Sequence, residues 1–409
     1  MKRIKLWGIG LIGLAVAGAW AARADVVERS EKLPVGIRDG VVVASPGRNG
    51  FVHHKDGRLM CFRGNWSVQY SSDGGRTWTS STSLDVPAKR GSVSSVVRLK
   101  SGKLGLFAVA SNDGQHAQNR NFVIDSLNWY ISDDEGKTWS KPVHMNASGQ
   151  LGVPYHDTVI QTKSGRIIVP VRYFNQGHKG MYKTTGSYGV IRGQRKKIEG
   201  HAHWPEMDVA FVYYSDDDGQ TWWRSDREIV VWKDKGYGGM WPVDEPNVIE
   251  LKDGRILMFA RTSLGRIYQV HSPDGGNRWG FPEPTRLACS YSPCRLRRIP
   301  KTGDLICVWN QVSAEEIRKG FRRGRLSAAI SKDDGKTWQN FKTIALAGLP
   351  AVGRVELEEP GMVRGRDDVG KLPDDYGNVG YANVAFHERT VLINFVGKLL
   401  ILPLEWFYE

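Results

Sequence analysis

Arg48, Val93, His156, Glu245 and Cys294 each stand nine residues before a turn glycine, at Gly57, Gly102, Gly165, Gly254 and Gly303 in that order. In a sixth copy, which lacks the glycine, Tyr381 stands eight residues before the turn residue Arg389. The apolar stretches that follow these positions are alike, so positions with a purely structural duty should be alike too. Instead the set holds a guanidinium, an imidazole, a carboxylate, a thiol and a phenol, and only Val93 offers nothing reactive. Such groups can bind an anion, move a proton or present a nucleophile. Their diversity at one register of a repeating scaffold points to a site grafted on a fold. Arg261, seven residues beyond Gly254, and Arg323, eight before Ser331, add two cations at strand ends. A planar guanidinium fork suits a carboxylate, although either arginine alone also suits a surface ion pair.

What must position these residues is a repeated unit. YSSDGGRTWTS, YISDDEGKTWS, YYSDDDGQTWW, VHSPDGGNRWG and AISKDDGKTWQ share Ser-x-Asp-x-Gly-x-Thr-Trp, with Ser71, Ser132, Ser215, Ser272 and Ser331 first and Trp78, Trp139, Trp222, Trp279 and Trp338 last. Only Arg278 replaces the threonine, and the serines lie 61, 83, 57 and 59 residues apart. Ahead of each run, a glycine turn precedes an apolar, β-rich stretch (HKDGRLMCF, LKSGKLGLFAV, TKSGRIIVPV, LKDGRILMFA, PKTGDLICVW), which is hairpin chemistry. FHERTVLINFV supplies a sixth strand pair without the glycine. Strands recurring at a constant period without helical periodicity between them predict an all-β fold, a six-bladed β-propeller. Its ring is expected to close by joining GVVVAS, near the N-terminus, to the last strands. The Ser/Asp/Gly runs read as structural turns, with Asp side chains bonding turn amides and Trp packing between sheets.

The chain has 409 residues and a formal charge of +14. Lys2, Arg3 and Lys5 precede an apolar run from Leu6 to Trp20, and Ala22 and Ala24 offer a cleavage site before Asp25. This reads as a signal peptide over residues 1–24, with one propeller over 25–409, secreted or periplasmic. The run is short for a membrane anchor, and once it is removed no membrane association is expected. The rest of the chain, near +10, favours anionic partners without choosing among them. Four cysteines, Cys61, Cys289, Cys294 and Cys307, do not make a disulfide framework. Cys289 and Cys294 could close a short loop, or all four could be buried thiols. The long second interval contains NQGHKGMYKTTGSYGVIRGQRKKIEGHAHWPE, read as a loop over the mouth of the ring, where variable loops carry specificity. His201 and His203 lack a clear third metal ligand, and RGQRKK reads as a solvated face, so no metal, cofactor or nucleic acid is expected.

These runs, over essentially the whole chain after residue 24, resemble the Asp-boxes of the bacterial neuraminidase (sialidase) superfamily. That family holds its substrate carboxylate with three arginines, and the resemblance assigns this role to Arg48 in SPGRNGFVHHKDGRL, Arg261 in DGRILMFARTS and Arg323 in RGRLSAAISKDDGKTW. It implies that Tyr381 in GYANVAF is the nucleophile and Glu245 in VDEPNVIELKDG its base. The combination is sensible physically: a carboxylate on the anomeric carbon repels an Asp or Glu nucleophile, whereas a neutral phenol can approach and then needs a base. A tyrosine nucleophile is a known sialidase exception to the two-carboxylate rule. Two features depart from the family. Its first arginine is usually followed by Ile-Pro, where this chain has Asn49 and Gly50. Its acid/base aspartate belongs between the second strand of the first blade and the Asp-box, where CFRGNWSVQYSS contains no aspartate. His156 and Asp157 in PYHDTVI, and Asp125, Asp208 and Asp244, are the substitutes considered for proton transfer.

Three functions follow as expectations. The first is an exported exo-glycosidase of the sialidase type, releasing a terminal acidic sugar from a glycan. The second is a propeller enzyme acting on another polysaccharide, neutral or uronate-containing. The third is a non-catalytic glycan-binding propeller.

Overall fold

A computed structural model of the chain describes residues 40–88, 90–111, 127–145, 153–174, 188–191, 194–197, 208–232, 240–241, 243–357 and 377–409. The segment read as a signal peptide, Asp125, His201 and His203 lie outside them. Six antiparallel sheets follow one another along the chain as the blades of a propeller. Their innermost strands are, in order, Phe51–His53, Arg90–Arg98, the pair Val153–Pro154 and Ile160–Gln161, Asp244–Glu250, Arg295–Arg298 and Asn383–His387. The ring closes as the sequence predicts: Val41–Ala44 becomes the outer strand of the last blade, with Val41 opposite Ile401 and Ala44 opposite Lys398. Within the long insertion, Tyr188–Ile191 pairs with Gln194–Lys197 as a hairpin. No helix among the described residues is long and apolar enough to cross a membrane.

The register glycines are needed for their backbone. Gly57, Gly102, Gly165 and Gly254 have φ between +82° and +104°, and nothing would crowd an added Cβ there. Only the left-handed conformation calls for glycine. In the sixth copy a two-residue turn takes its place, with Glu388 at φ 51°.

Each repeated run is a hydrogen-bonded knot. In the first, Ser71 Oγ donates to Asp73 Oδ1 at 2.8 Å and accepts from the Gly75 amide at 2.8 Å. Asp73 also accepts from the Thr77 amide and hydroxyl, at 2.9 and 2.6 Å. At the fourth run Arg278 Nε supplies the bond to Asp274 that threonine gives elsewhere, at 2.8 Å. The tryptophans join neighbouring blades: Trp139 meets Phe62 of the first blade edge-on, Trp222 meets Trp129 of the second, and Trp338 tilts against Phe259 of the fourth. Burial of these rings fixes the blade spacing, each contributing about 2 kcal/mol. All four cysteines are buried free thiols, so Cys289 and Cys294 do not close a loop.

Candidate active site

The register residues divide by environment. Val93 and Cys294 are core residues, 0% and 2% exposed, and offer nothing to a ligand. Glu245, Asp157 and Tyr381 share an unusual backbone: φ is +40°, +53° and +58°. Holding a non-glycine residue there costs of order 1–3 kcal/mol and is typical of functional sites. For Glu245 the cause is a β-bulge between Asp244 and Asn247, where pairing with the second strand of the blade shifts register. Bulges re-aim side chains. Here Glu245 meets Arg261, on the neighbouring strand Ile256–Arg261.

Arg261 and Arg323 converge on Tyr381. Arg261 Nη1 donates to Glu245 Oε2 at 2.5 Å and to the Tyr381 hydroxyl oxygen at 3.4 Å. Arg323 Nη2 reaches the same oxygen at 3.4 Å, and its guanidinium carbon lies 4.5 Å from the centre of the Tyr381 ring. Gly380 makes this approach possible, because a Cβ there would stand 2.7 Å from Arg323 Cδ. Burial disfavours the charge of Arg261, but Glu245 and Asp244 outweigh it and raise its pKa well above the ordinary value. Arg48 is exposed, and no described residue pairs with its guanidinium, which acts electrostatically on His156 and Tyr155. A phenol oxygen reached by two guanidinium groups, one of them shared with the Glu245 carboxylate, can be stabilised as an oxyanion.

The proposed proton carriers are placed less favourably. In the first blade, Leu59–Arg63 turns directly into Ser67–Ser71 through Gly64, Asn65 and Trp66, so that hairpin carries no aspartate. Asp244 is fully buried and pairs with Arg172, accepts from the Tyr291 hydroxyl at 3.2 Å and lies 3.5 Å from Arg261. Asp157 pairs with Arg297 at 3.0 Å and accepts from Asn383 Nδ2 at 2.8 Å. His156 is partly buried, and its Nδ1 accepts from Asn49 Nδ2 at 3.0 Å while the same amide nitrogen donates to the Val93 carbonyl at 2.8 Å. Burial, then the charges of Arg48 and Arg295, push its pKa down to about 3. His156 is therefore neutral near pH 7, with its one ring proton on Nε2, and lacks the imidazolium proton that a general acid would give. The strand beginning at Asp208 belongs to the third blade, but its side chain, like Asp125, lies outside the description.

Several partners escape the register count. Asn49, read as a departure from the family pattern, holds His156. Arg295 is fully buried and donates to the carbonyl oxygens of Asp157, at 2.8 Å, and His156. Burial and then neighbouring Arg297 lower its pKa to about 10. Asn383 ties Asp157 to the Arg48 carbonyl, at 2.8 and 3.1 Å. It stands two residues after Tyr381, so proximity in sequence was a usable signal. Arg172, Tyr291 and Ser292 carried none. Among the described residues no group of three His, Cys, Asp or Glu could hold a metal ion.

The BNR repeat-like domain family matches residues 95–371. A protein of unknown function from Dyadobacter fermentans shares the fold at a TM-score of 0.57 and 16% identity, covering 90% of this chain and 99% of that one. A mutant of the NanB sialidase from Streptococcus pneumoniae aligns at 0.53 and 14%, covering 92% and 72%. An α-L-arabinanase from Penicillium chrysogenum, complexed with arabinobiose, aligns at 0.51 and 13%, covering 91% and 99%. No curated protein matches the sequence.

Proposed function

Because this chain belongs to the BNR repeat-like domain family and aims two guanidinium groups at one phenol, we propose that it is a secreted or periplasmic glycosidase that releases a terminal acidic sugar of the sialic acid type. The observation carrying this reading is the convergence of Arg261 and Arg323, from the fourth and fifth blades, on the Tyr381 oxygen at 3.4 Å each. The relatives named above support the fold, and their substrates do not transfer at 13–16% identity.

In this mechanism the sugar carboxylate is held by Arg261, Arg323 and exposed Arg48. Tyr381 passes its proton to Glu245 and attacks the anomeric carbon as the glycosidic bond breaks. Water then cleaves the aryl glycoside formed with the enzyme, and the configuration is retained. Asp157 and neutral His156 shape the pocket, and no described residue is assigned to protonate the leaving group. An aryl sialoside, whose aglycone leaves as a stabilised anion, bypasses that requirement. Purified protein is expected to hydrolyse an aryl sialoside, and Tyr381→Phe to abolish turnover with an unchanged melting temperature. Full activity in that variant would defeat the assignment.

The unassigned donor favours a second reading, a propeller that binds or cleaves another polysaccharide. Saturable binding of sialosides without product would support a binding protein. Unsaturated products from uronate polymers, with sialosides inert, would support a different enzyme.

A further inference from the structure

Two of the three arginines lean on one short connection. The fourth blade ends with Glu283–Ala288 and the fifth begins at Arg295–Arg298, and between them runs Cys289-Ser290-Tyr291-Ser292-Pro293-Cys294. The Tyr291 ring lies against Arg261, with its centre 3.7 Å from the guanidinium carbon. The Tyr291 hydroxyl donates to Asp244 Oδ2 at 3.2 Å, and that oxygen lies 3.5 Å from Arg261 Nη1. One residue on, Ser292 Oγ accepts from Arg323 Nε at 3.2 Å. The single proton of Ser292 goes to Asn310 Oδ1 at 2.8 Å, so a lone pair must face Arg323. The connection is itself fastened, by the Ser292 amide on the Ser290 carbonyl at 2.7 Å and the Cys289 thiol on the Ser292 carbonyl at 3.5 Å.

We propose that Tyr291 and Ser292 are positioning residues that set the spacing of Arg261 and Arg323, and so make the site select for a carboxylate. The inference rests on the carboxylate-binding reading above and assigns to one blade connection the discrimination between an acid and its neutral counterpart. A free arginine side chain must surrender about 2 kcal/mol of rotamer entropy to hold one geometry. A ring stacked on one guanidinium and an oxygen fixed to the Nε of the other remove that freedom before ligand arrives, which is the general route to affinity through preorganisation. Because Nη1 of Arg261 and Nε and Nη2 of Arg323 are already committed, Arg261 Nη2 and Arg323 Nη1 remain without partners among the described residues. These two nitrogens can donate to a ligand, and the buried Arg261 Nε likewise has no partner among the described residues.

The test compares the methyl glycoside of sialic acid with its carboxyl methyl ester, titrated calorimetrically into the full chain. Wild-type protein is expected to prefer the acid by about tenfold or more, the effect of one charge-assisted hydrogen bond. Tyr291→Leu and Ser292→Ala should each reduce that preference severalfold through the acid alone, leaving ester affinity in place. Tyr291→Phe, which keeps the stacked ring, should restore most of it. A general loss of packing would weaken both ligands together and leave the ratio unchanged. Folded Tyr291→Leu and Ser292→Ala proteins with the wild-type ratio would overturn the inference and spare the carboxylate reading. If Tyr291→Leu does not fold, Ser292→Ala decides. Wild-type protein that binds acid and ester equally would overturn both.

Discussion

His156 offers a prediction that needs no substrate. In an unfolded chain its imidazole titrates near 6.5, whereas in the folded ring burial, Arg48 and Arg295 push it down to about 3. Between these values the unfolded chain takes up a proton that the folded chain refuses. Its contribution is therefore intact above pH 6.5 and is lost as pH falls from 6.5 toward 3, at ~1.4 kcal/mol per pH unit. From pH 7 to pH 5 this amounts to about 2 kcal/mol. The local geometry agrees with the sign: Asn49 Nδ2 donates to both Val93 and His156 Nδ1, so a protonated ring would bring two donors face to face. His156→Gln keeps an acceptor and removes the titration. Urea unfolding of both proteins at a series of pH values between 7 and 5 should show wild-type stability falling by about 2 kcal/mol more than that of the variant. Carboxylates common to both proteins cancel in this difference. Parallel pH profiles would refute the placement of His156 as a partly buried neutral group and would reopen its use as a proton carrier.

Other outcomes follow from the same geometry. Gly380→Ala would place a Cβ 2.7 Å from Arg323 Cδ and 2.9 Å from Asn310 Oδ1. It is expected to push Arg323 off Tyr381 and weaken binding of an acidic sugar about tenfold, with a smaller effect on its ester, by calorimetric titration. Arg323→Ala should likewise weaken the acid far more than the methyl ester, and equal losses would remove Arg323 from carboxylate recognition. At the ring closure, Val42 and Val43 pack against the apolar clusters on the two sides of the last blade. Replacing both with Asp should cost about 2–4 kcal/mol in lost burial and lower the melting temperature measured by circular dichroism.

The six blades were legible because the forces that form them are local, whereas their closure joins the two ends of the chain, Val41 to Ile401, and was legible only as an unpaired β-rich stretch at each end. Each Asp-box closes its hydrogen bonds within a few residues, as between Ser71 and Thr77, so a short string of letters suffices to specify it. The turn glycine then supplied a register that reached Glu245, and the corresponding turn residue Arg389 one that reached Tyr381, because inner strands of equivalent blades start at equivalent places around the axis.

Chemistry at those positions was decided at longer range. No local pattern shows that Arg295 will reach the His156 carbonyl, 139 residues away, or that Asp244 will pair with Arg172 across 72. The same holds for burial: His156 and Cys294 occupy corresponding places in the repeat, yet His156 remains partly open while Cys294 disappears into the core. The sequence by itself determined the propeller, through turns whose hydrogen bonds close within a few residues and apolar strands repeated at one period. Only the closed ring decided which polar groups are solvated, paired or facing Tyr381, because charge, dielectric and hydrogen-bond partners at the axis come from all the blades at once.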